Sequence, residues 1–379
     1  MATFRCISAE LAAILTLLAA AAAPAADALT VDGTTARGEL AGDGPAISLA
    51  SAGGAVPLRE IARIRLRPSG EIVAMASGVV TSDGSTLRGS VSVGANGAVT
   101  VVSPRFGAIA FPPDSLSLLC IDSRAPLGSA EEGVLFRNGD FLAAETLTLG
   151  ATSVQTESAL GKISVPLDRV AAVRLGPPPR VAAPPEAIVV LDNGDTLNCS
   201  LAAAGGRMTL ETPFGRLAVE ERFVSEIVFP ARGAYVSDLA LDVSTRGFAP
   251  DGMKYASFDA GLNGALKGRF AYYRKGFATR AGAAVEAALP AGARSLVFTP
   301  DIPAEAAPPA GRFSIERDGR EIWALELEAG TTPAQVSLDV SGARRVVFVY
   351  QSKPEGLVGS AGVWGDAFVT FDGGEGMQK

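Results

Sequence analysis

This sequence predicts an all-β protein: four repeated small β-sheet or barrel-like units, followed by a jelly-roll β-sandwich. Three observations carry that reading. A cassette of about fifty residues recurs between Asp32 and Phe229, with its turn glycines Gly33, Gly84, Gly139 and Gly194 spaced 51, 55 and 55 residues apart. A fixed period of that size marks a duplicated supersecondary unit. Short alternating apolar runs fill the chain and are broken by Asp-Gly and Asn-Gly pairs, which supply the positive φ angles of hairpin turns. Beyond the N-terminal segment, no stretch shows the periodicity of a strong amphipathic helix.

Residues 1–26 read as a signal peptide. Arg5 makes the start positive, and Leu11 to Ala23 is an apolar core too short for a stable span. Ala23-Pro24-Ala25 or Ala26-Asp27-Ala28 suits cleavage at small residues. Cassettes one and two fill 29–121, cassette three 131–175 and cassette four 186–230. Each closes on a segment such as Ile61-Ala62-Arg63-Ile64-Arg65-Leu66 or Val165-Pro166-Leu167-Asp168-Arg169-Val170. Proline in that segment suits a strand end. The proline-rich run 176–185 reads as a stiff linker that sets cassette four apart from cassette three. Each unit is too small to be stable alone, so copies are expected to pack on one another. From 235 to 373 the repeats give way to short alternating strands, among them Arg312-Phe313-Ser314-Ile315-Glu316 and Arg345-Val346-Val347-Phe348-Val349-Tyr350. Strands this short and regular point to the sandwich.

Composition excludes several function classes. The 379 residues carry a net charge of -7 with no long run of either sign, which argues against nucleic acid and anionic membrane as partners. Histidine is absent, which removes the commonest general base, the Ser-His and Cys-His pairs and the commonest metal ligand. After leader cleavage only Cys120 and Cys199 remain. They could form one disulfide or stay as buried thiols, and no cysteine cluster has zinc spacing. Glu131-Glu132, Glu220-Glu221 and Glu326 with Glu328 supply carboxylates, but nothing singles out a pair sharing one cleft, as a glycosidase requires. The chain is therefore read as no enzyme.

Two resemblances add to this. Asn138-Gly139-Asp140 and Asn193-Gly194-Asp195, with Thr212-Pro213-Phe214-Gly215-Arg216-Leu217, resemble a β-repeat of bacterial envelope proteins. Farther on, Tyr273-Arg274-Lys275-Gly276-Phe277, the hairpin Arg317-Asp318-Gly319-Arg320, the run Val340-Ser341-Gly342 and the closing Trp364-Gly365-Asp366-Ala367 come in the order of the NPCBM family. That family of carbohydrate-binding-type modules implies a galactose-binding-like β-sandwich. The chain departs from it at Phe277-Ala278-Thr279-Arg280, where the family often has a histidine, and over Asp301 to Pro309, which is Pro/Ala-rich.

A sugar site wants an aromatic face and forked polar groups at the loop end of a sandwich. Trp364, Asp366, Tyr273 and Arg280 are the candidate ligand residues, with Tyr272, Trp323, Arg274 and Lys353 as further sources. Against this, Trp323 shares strand parity with Leu325 and Leu327, which favours the core, and Asp366 could cap a turn. In an extended segment Tyr272 and Tyr273 point to opposite faces. No cofactor is expected. Structural calcium has no supporting motif, since Asp238, Asp242, Asp251 and Asp259 lack calcium-loop spacing and read as turn formers. The expected function is a secreted or periplasmic non-catalytic protein whose sandwich, carried on β-repeats, binds a glycan. The alternative is an envelope protein that docks another protein and has lost sugar binding; an unrecognised hydrolase ranks below both.

Overall fold

The computed structural model describes residues 25–372 apart from 69, 71–74, 123–130, 160, 178, 180–182, 247–252, 263, 270, 304–309, 329–330 and 354–359. The expected leader thus falls almost wholly outside the described residues, as does part of the proline-rich run. Among the described residues, regular structure is antiparallel strand and short 3-10 turns, and no helix is long and apolar enough to cross a membrane.

Each cassette opens on a strand that pairs with the strand closing it. Ala26–Thr30 lies against Ile61–Arg65, Gly78–Thr81 against Leu116–Cys120, Gly133–Phe136 against Val170–Arg174, and Ala187–Leu191 against Val224–Val228. The opening hairpins turn at Gly33, Gly84, Gly139 and Gly194, whose φ angles are 83, 92, 94 and 85°. Backbone of this kind costs glycine little and other residues much. The return to the closing strand runs through the 3-10 turns Leu58–Glu60, Pro113–Ser115, Leu167–Arg169 and Glu221–Phe223. Pro57, Pro112 and Pro166 precede the first three at φ −68, −67 and −60°, ending the strand where the ring forbids further pairing.

The cassettes do not follow one another in space. Ile61–Arg65 of cassette one pairs with Val224–Val228 of cassette four, and Leu116–Cys120 of cassette two pairs with Val170–Arg174 of cassette three. A single ladder rung, Thr86 to Thr196, carries the sheet from cassette two to cassette four, and beside it Arg88 N donates to Asp195 Oδ1 at 2.7 Å. The continuous sheet therefore runs three, two, four, one. Cassette four is not set apart by the proline-rich run but lies between cassettes two and one. The closing strands are buried almost throughout, so both their edges need hydrogen-bond partners. The opening strand takes one edge and another cassette's closing strand takes the other. One core, including Leu49, Ile64, Val79, Phe111, Leu119, Val173, Leu210 and Ile227, runs through all four.

The C-terminal part is a two-sheet sandwich. One sheet orders Ala256–Phe258, Gly276–Arg280, Ala361–Phe371, Ala293–Asp301 and Val336–Asp339, with Gly233–Tyr235 also on Ala361–Phe371. The other orders Leu241–Thr245, Ala283–Ala288, Arg345–Ser352, Ala310–Arg317 and Arg320–Glu328. Between them lie Phe277, Phe298, Phe313, Phe348, Tyr350 and Trp364. A third, small core joins the halves: Leu29, Ala62 and Val228 pack on Tyr235, Val297 and Phe368. The sandwich is therefore seated on the pair of cassettes one and four.

Candidate ligand-binding site

The four residues expected to grip a ligand are committed elsewhere. Trp364 is 0% exposed, in the middle of the last strand rather than in a loop. Its ring meets Phe313, Phe348 and Phe298 at 5.0, 5.1 and 5.6 Å, and its Nε1 donates to Thr279 Oγ1 at 3.2 Å. A strand with partners on both edges and a sheet over its face leaves this ring no surface for a sugar. Tyr273 is also buried; its hydroxyl donates to Asp301 Oδ2 at 2.9 Å and its ring crowds Gly365. Tyr272 is 40% exposed, the opposite face that alternation predicts. Arg280 donates from Nε to the Lys254 carbonyl at 3.0 Å, at the far end of the strand pair from Asp366. Asp366 adopts φ 51° at a bulge in the last strand and pairs at 3.0 Å with Arg65 of cassette one. Tyr273 and Asp366 are thus neighbours, but the four do not converge on a surface.

The other candidates are also placed. Lys353 pairs with Glu326 on an exposed edge. Trp323 is half-buried, its ring 5.1 Å from Phe298. Asp238 and Asp259 close on one cation, the Lys275 ammonium, at 2.5 and 2.7 Å. Asp242 is exposed and Asp251 lies outside the described residues. Among the described residues no three potential ligands cluster for a metal. Cys120 and Cys199 are buried free thiols, and burial pushes them up to about 11 and about 12.

Asp366 belongs to a buried charge cluster between cassettes and sandwich that sequence reasoning missed. Its centre is Glu226 of cassette four. Arg274 Nη2 donates to Glu226 Oε2 at 2.9 Å, and the Tyr235 hydroxyl donates to Oε1. Arg65 Nη2 and Arg63 Nε stand 3.5 and 3.9 Å from Oε1. Burial alone would raise the Glu226 pKa, but Arg274, Arg65 and Arg63, with the Tyr235 hydroxyl, bring it down to about 2. Burial pushes the Asp366 carboxyl up despite Arg65. Arg63 also lies 4.8 Å over the Phe368 ring. The available signal was charge at the inner positions of apolar strands, Arg63 in Ile61–Arg65 and Glu226 in Val224–Val228.

Beside this cluster opens a cleft of about 480 Å³, in the size range of small-molecule sites. Arg65 and Arg67 of cassette one, Thr86 and Arg88 of cassette two, Asp192 to Gly194 of cassette four and Asp259, Arg274 and Lys275 of the sandwich all line it. Its carboxylates are engaged: Glu226 by the arginines, Asp259 by Lys275, and Asp192 by Arg105, which donates to both oxygens at 2.9 Å. Among the described residues, no aromatic side chain lines it. It can offer hydrogen bonds and positive charge but no stacking face.

Residues 232–370 match the family model of the NPCBM/NEW2 domain. No curated protein matches the chain. Solved structures similar to it include the CBM51 of Clostridium perfringens GH95 in complex with methyl-galactose, at 21% identity over 36% of this chain and 99% of that one, with a TM-score of 0.31. Another is the tandem CBM51 pair of the family 98 glycoside hydrolase of Streptococcus pneumoniae, at 11% identity over 64% of this chain and 88% of that one, with a TM-score of 0.33. Residues 232–370 are an NPCBM/NEW2 domain, folded as the two-sheet β-sandwich described above.

Proposed function

We propose that this chain is a secreted or periplasmic, non-catalytic saccharide-binding protein whose ligand sits in the cleft between cassettes and sandwich. The domain match over 232–370 supports the ligand class. The observation that carries the site is the cleft itself, where four separate parts of the chain bring hydrogen-bonding side chains to one hollow. A binding role fits better than a catalytic one, because the cleft's carboxylates are tied to cations and the chain has no histidine. The apolar leader-like segment supports export.

A glycan array probed with the full chain tests this. The expected result is binding to at least one glycan, abolished by Gly70→Trp, which puts bulk into the cleft from an exposed position where an added Cβ meets nothing within 4 Å, with the melting temperature unchanged. A folded chain that binds no glycan would overturn the reading and favour an envelope protein that docks another protein.

A further inference from the structure

We propose that the cleft selects a saccharide carrying a compact negative charge, a uronate carboxylate or a sugar phosphate, and that Arg67 reads that charge. This inference rests on the cleft being the saccharide seat.

Charge pairing around the cleft leads to Arg67. Of the five cations on its wall, Arg65 is paired with Asp366 and Glu226, Arg274 with Glu226, Lys275 with Asp238 and Asp259, and Arg88 with Asp195. Arg67 alone among them has no ion pair with the described residues. Its position explains this. The chain leaves the closing strand at Leu66, and both Leu66 N and Arg67 N donate to the Ser225 carbonyl, at 2.9 and 3.2 Å. That double contact fixes the Arg67 backbone at the cleft wall, past the end of the ladder where Glu226 meets Arg65.

Arg67 and Arg65 keep unanswered donors there. Among the described residues, Arg67 Nε is buried with no hydrogen-bond acceptor, and Arg65 Nη2 has only the 3.5 Å ion-pair contact with Glu226. A buried polar donor without an acceptor costs about 1–3 kcal/mol, and more when it is charged. An oxyanion is the acceptor that suits a planar guanidinium best, because the two can share parallel hydrogen bonds. Nothing aromatic competes for the ligand, so charge and hydrogen bonding must set its selectivity.

The test is calorimetry on the full chain with trigalacturonate, its fully methyl-esterified and therefore neutral form, and inorganic phosphate as a separate probe. Trigalacturonate should bind at least about tenfold more tightly than the ester, and phosphate should compete with it. Arg67→Gln should reduce that preference to about twofold or less, whereas Arg67→Lys should keep part of it. Arg67 has no ion pair with the described residues to lose, so both variants should fold. Equal affinity for the two saccharides, or a preference that survives Arg67→Gln, would overturn the anion inference while leaving the saccharide site standing. Phosphate binding that depends on Arg67, with neither saccharide bound, would keep the anion site and overturn the saccharide reading. A folded chain that binds none of the three probes overturns both.

Discussion

Two pairs of closing strands in this molecule have the same geometry and opposite chemistry. In cassettes one and four, Arg65 stands opposite Glu226 and Arg63 opposite Val228. At the same register in cassettes two and three, Arg174 stands opposite Leu118 and Ala172 opposite Cys120. The third position of the closing strand is therefore charged in cassettes one and four and apolar in two and three. Only the charged pair carries the sandwich, whose Arg274, Tyr235 and Asp366 complete its cluster. The difference shows how similar units acquire different roles. Strand pairing is indifferent to the inner side chains, and those side chains decide what docks on the outer face.

The sharpest way to break that comparison is Glu226→Gln. It leaves Arg63, Arg65 and Arg274 buried around a neutral group and should cost about 3–5 kcal/mol in denaturant unfolding. Leu118→Gln, at the matching half-buried position, should cost only about 1 kcal/mol. The pH dependence adds a signature. The Glu226 carboxylate is held down at about 2 against an ordinary 4.5, so its contribution is present above about pH 4.5 and is lost as the pH falls toward 2. At about 1.4 kcal/mol per pH unit, this is worth on the order of 3 kcal/mol. Glu226→Gln should therefore flatten stability across that acid window. Asp366 acts in the opposite sense, because burial raises its pKa and its protonation relieves a cost. An unchanged acid slope in Glu226→Gln would show that the cluster does not hold the halves together.

The next effect separates two turn glycines. Gly33 of cassette one carries the docking hairpin: its carbonyl accepts from Ser337 Oγ at 3.3 Å, and the Asp32 carbonyl accepts from Ser295 Oγ at 3.0 Å. A Cβ on Gly33 would lie 2.2 Å from Ser295 Oγ, whereas one on Gly139 would meet nothing within 4 Å. Both glycines have positive φ, so Gly139→Ala should cost about 1 kcal/mol through the backbone alone. Gly33→Ala should cost a further 1–2 kcal/mol, roughly, through overpacking against the sandwich. Equal melting temperatures for the two variants would remove the hairpin from the interface.

The smallest effect is a gain. Glu221 opens the 3-10 turn of cassette four where cassettes one and three have Leu58 and Leu167. It is buried, and among the described residues only the Gly206 backbone favours its charged form, while Glu39 opposes it. Burial raises its pKa, so its cost grows as the pH rises above the ordinary 4.5. Glu221→Leu should stabilise the chain by about 1–2 kcal/mol at neutral pH and by less near pH 4. A gain independent of pH would show that packing, not the stranded charge, is responsible.

Much of the fold was legible in the sequence because its signals are local. Gly33, Gly84, Gly139 and Gly194 mark hairpins by the φ they require, and Pro57, Pro112 and Pro166 mark strand ends by the φ they impose. The NPCBM-like motifs from Tyr273 to Ala367 marked the sandwich. The proposed site was not legible. Trp364 suits a sugar because its face can stack on the ring, but aromatic bulk suits a core equally well. Only the partners on both edges of the last strand show which use applies. Arg67 gave no local sign at all.

The sequence by itself determined which segments are strands, where they turn and that no histidine chemistry is available, since backbone preference and composition act over a few residues. Tertiary structure alone decided that cassette four pairs with cassette one, that Trp364 is enclosed and that Arg67 faces a cleft shared by four parts of the chain. Those outcomes depend on which buried strand edges find each other, and contacts such as Arg65 to Asp366 join residues three hundred positions apart. No local pattern encodes a partner at that distance.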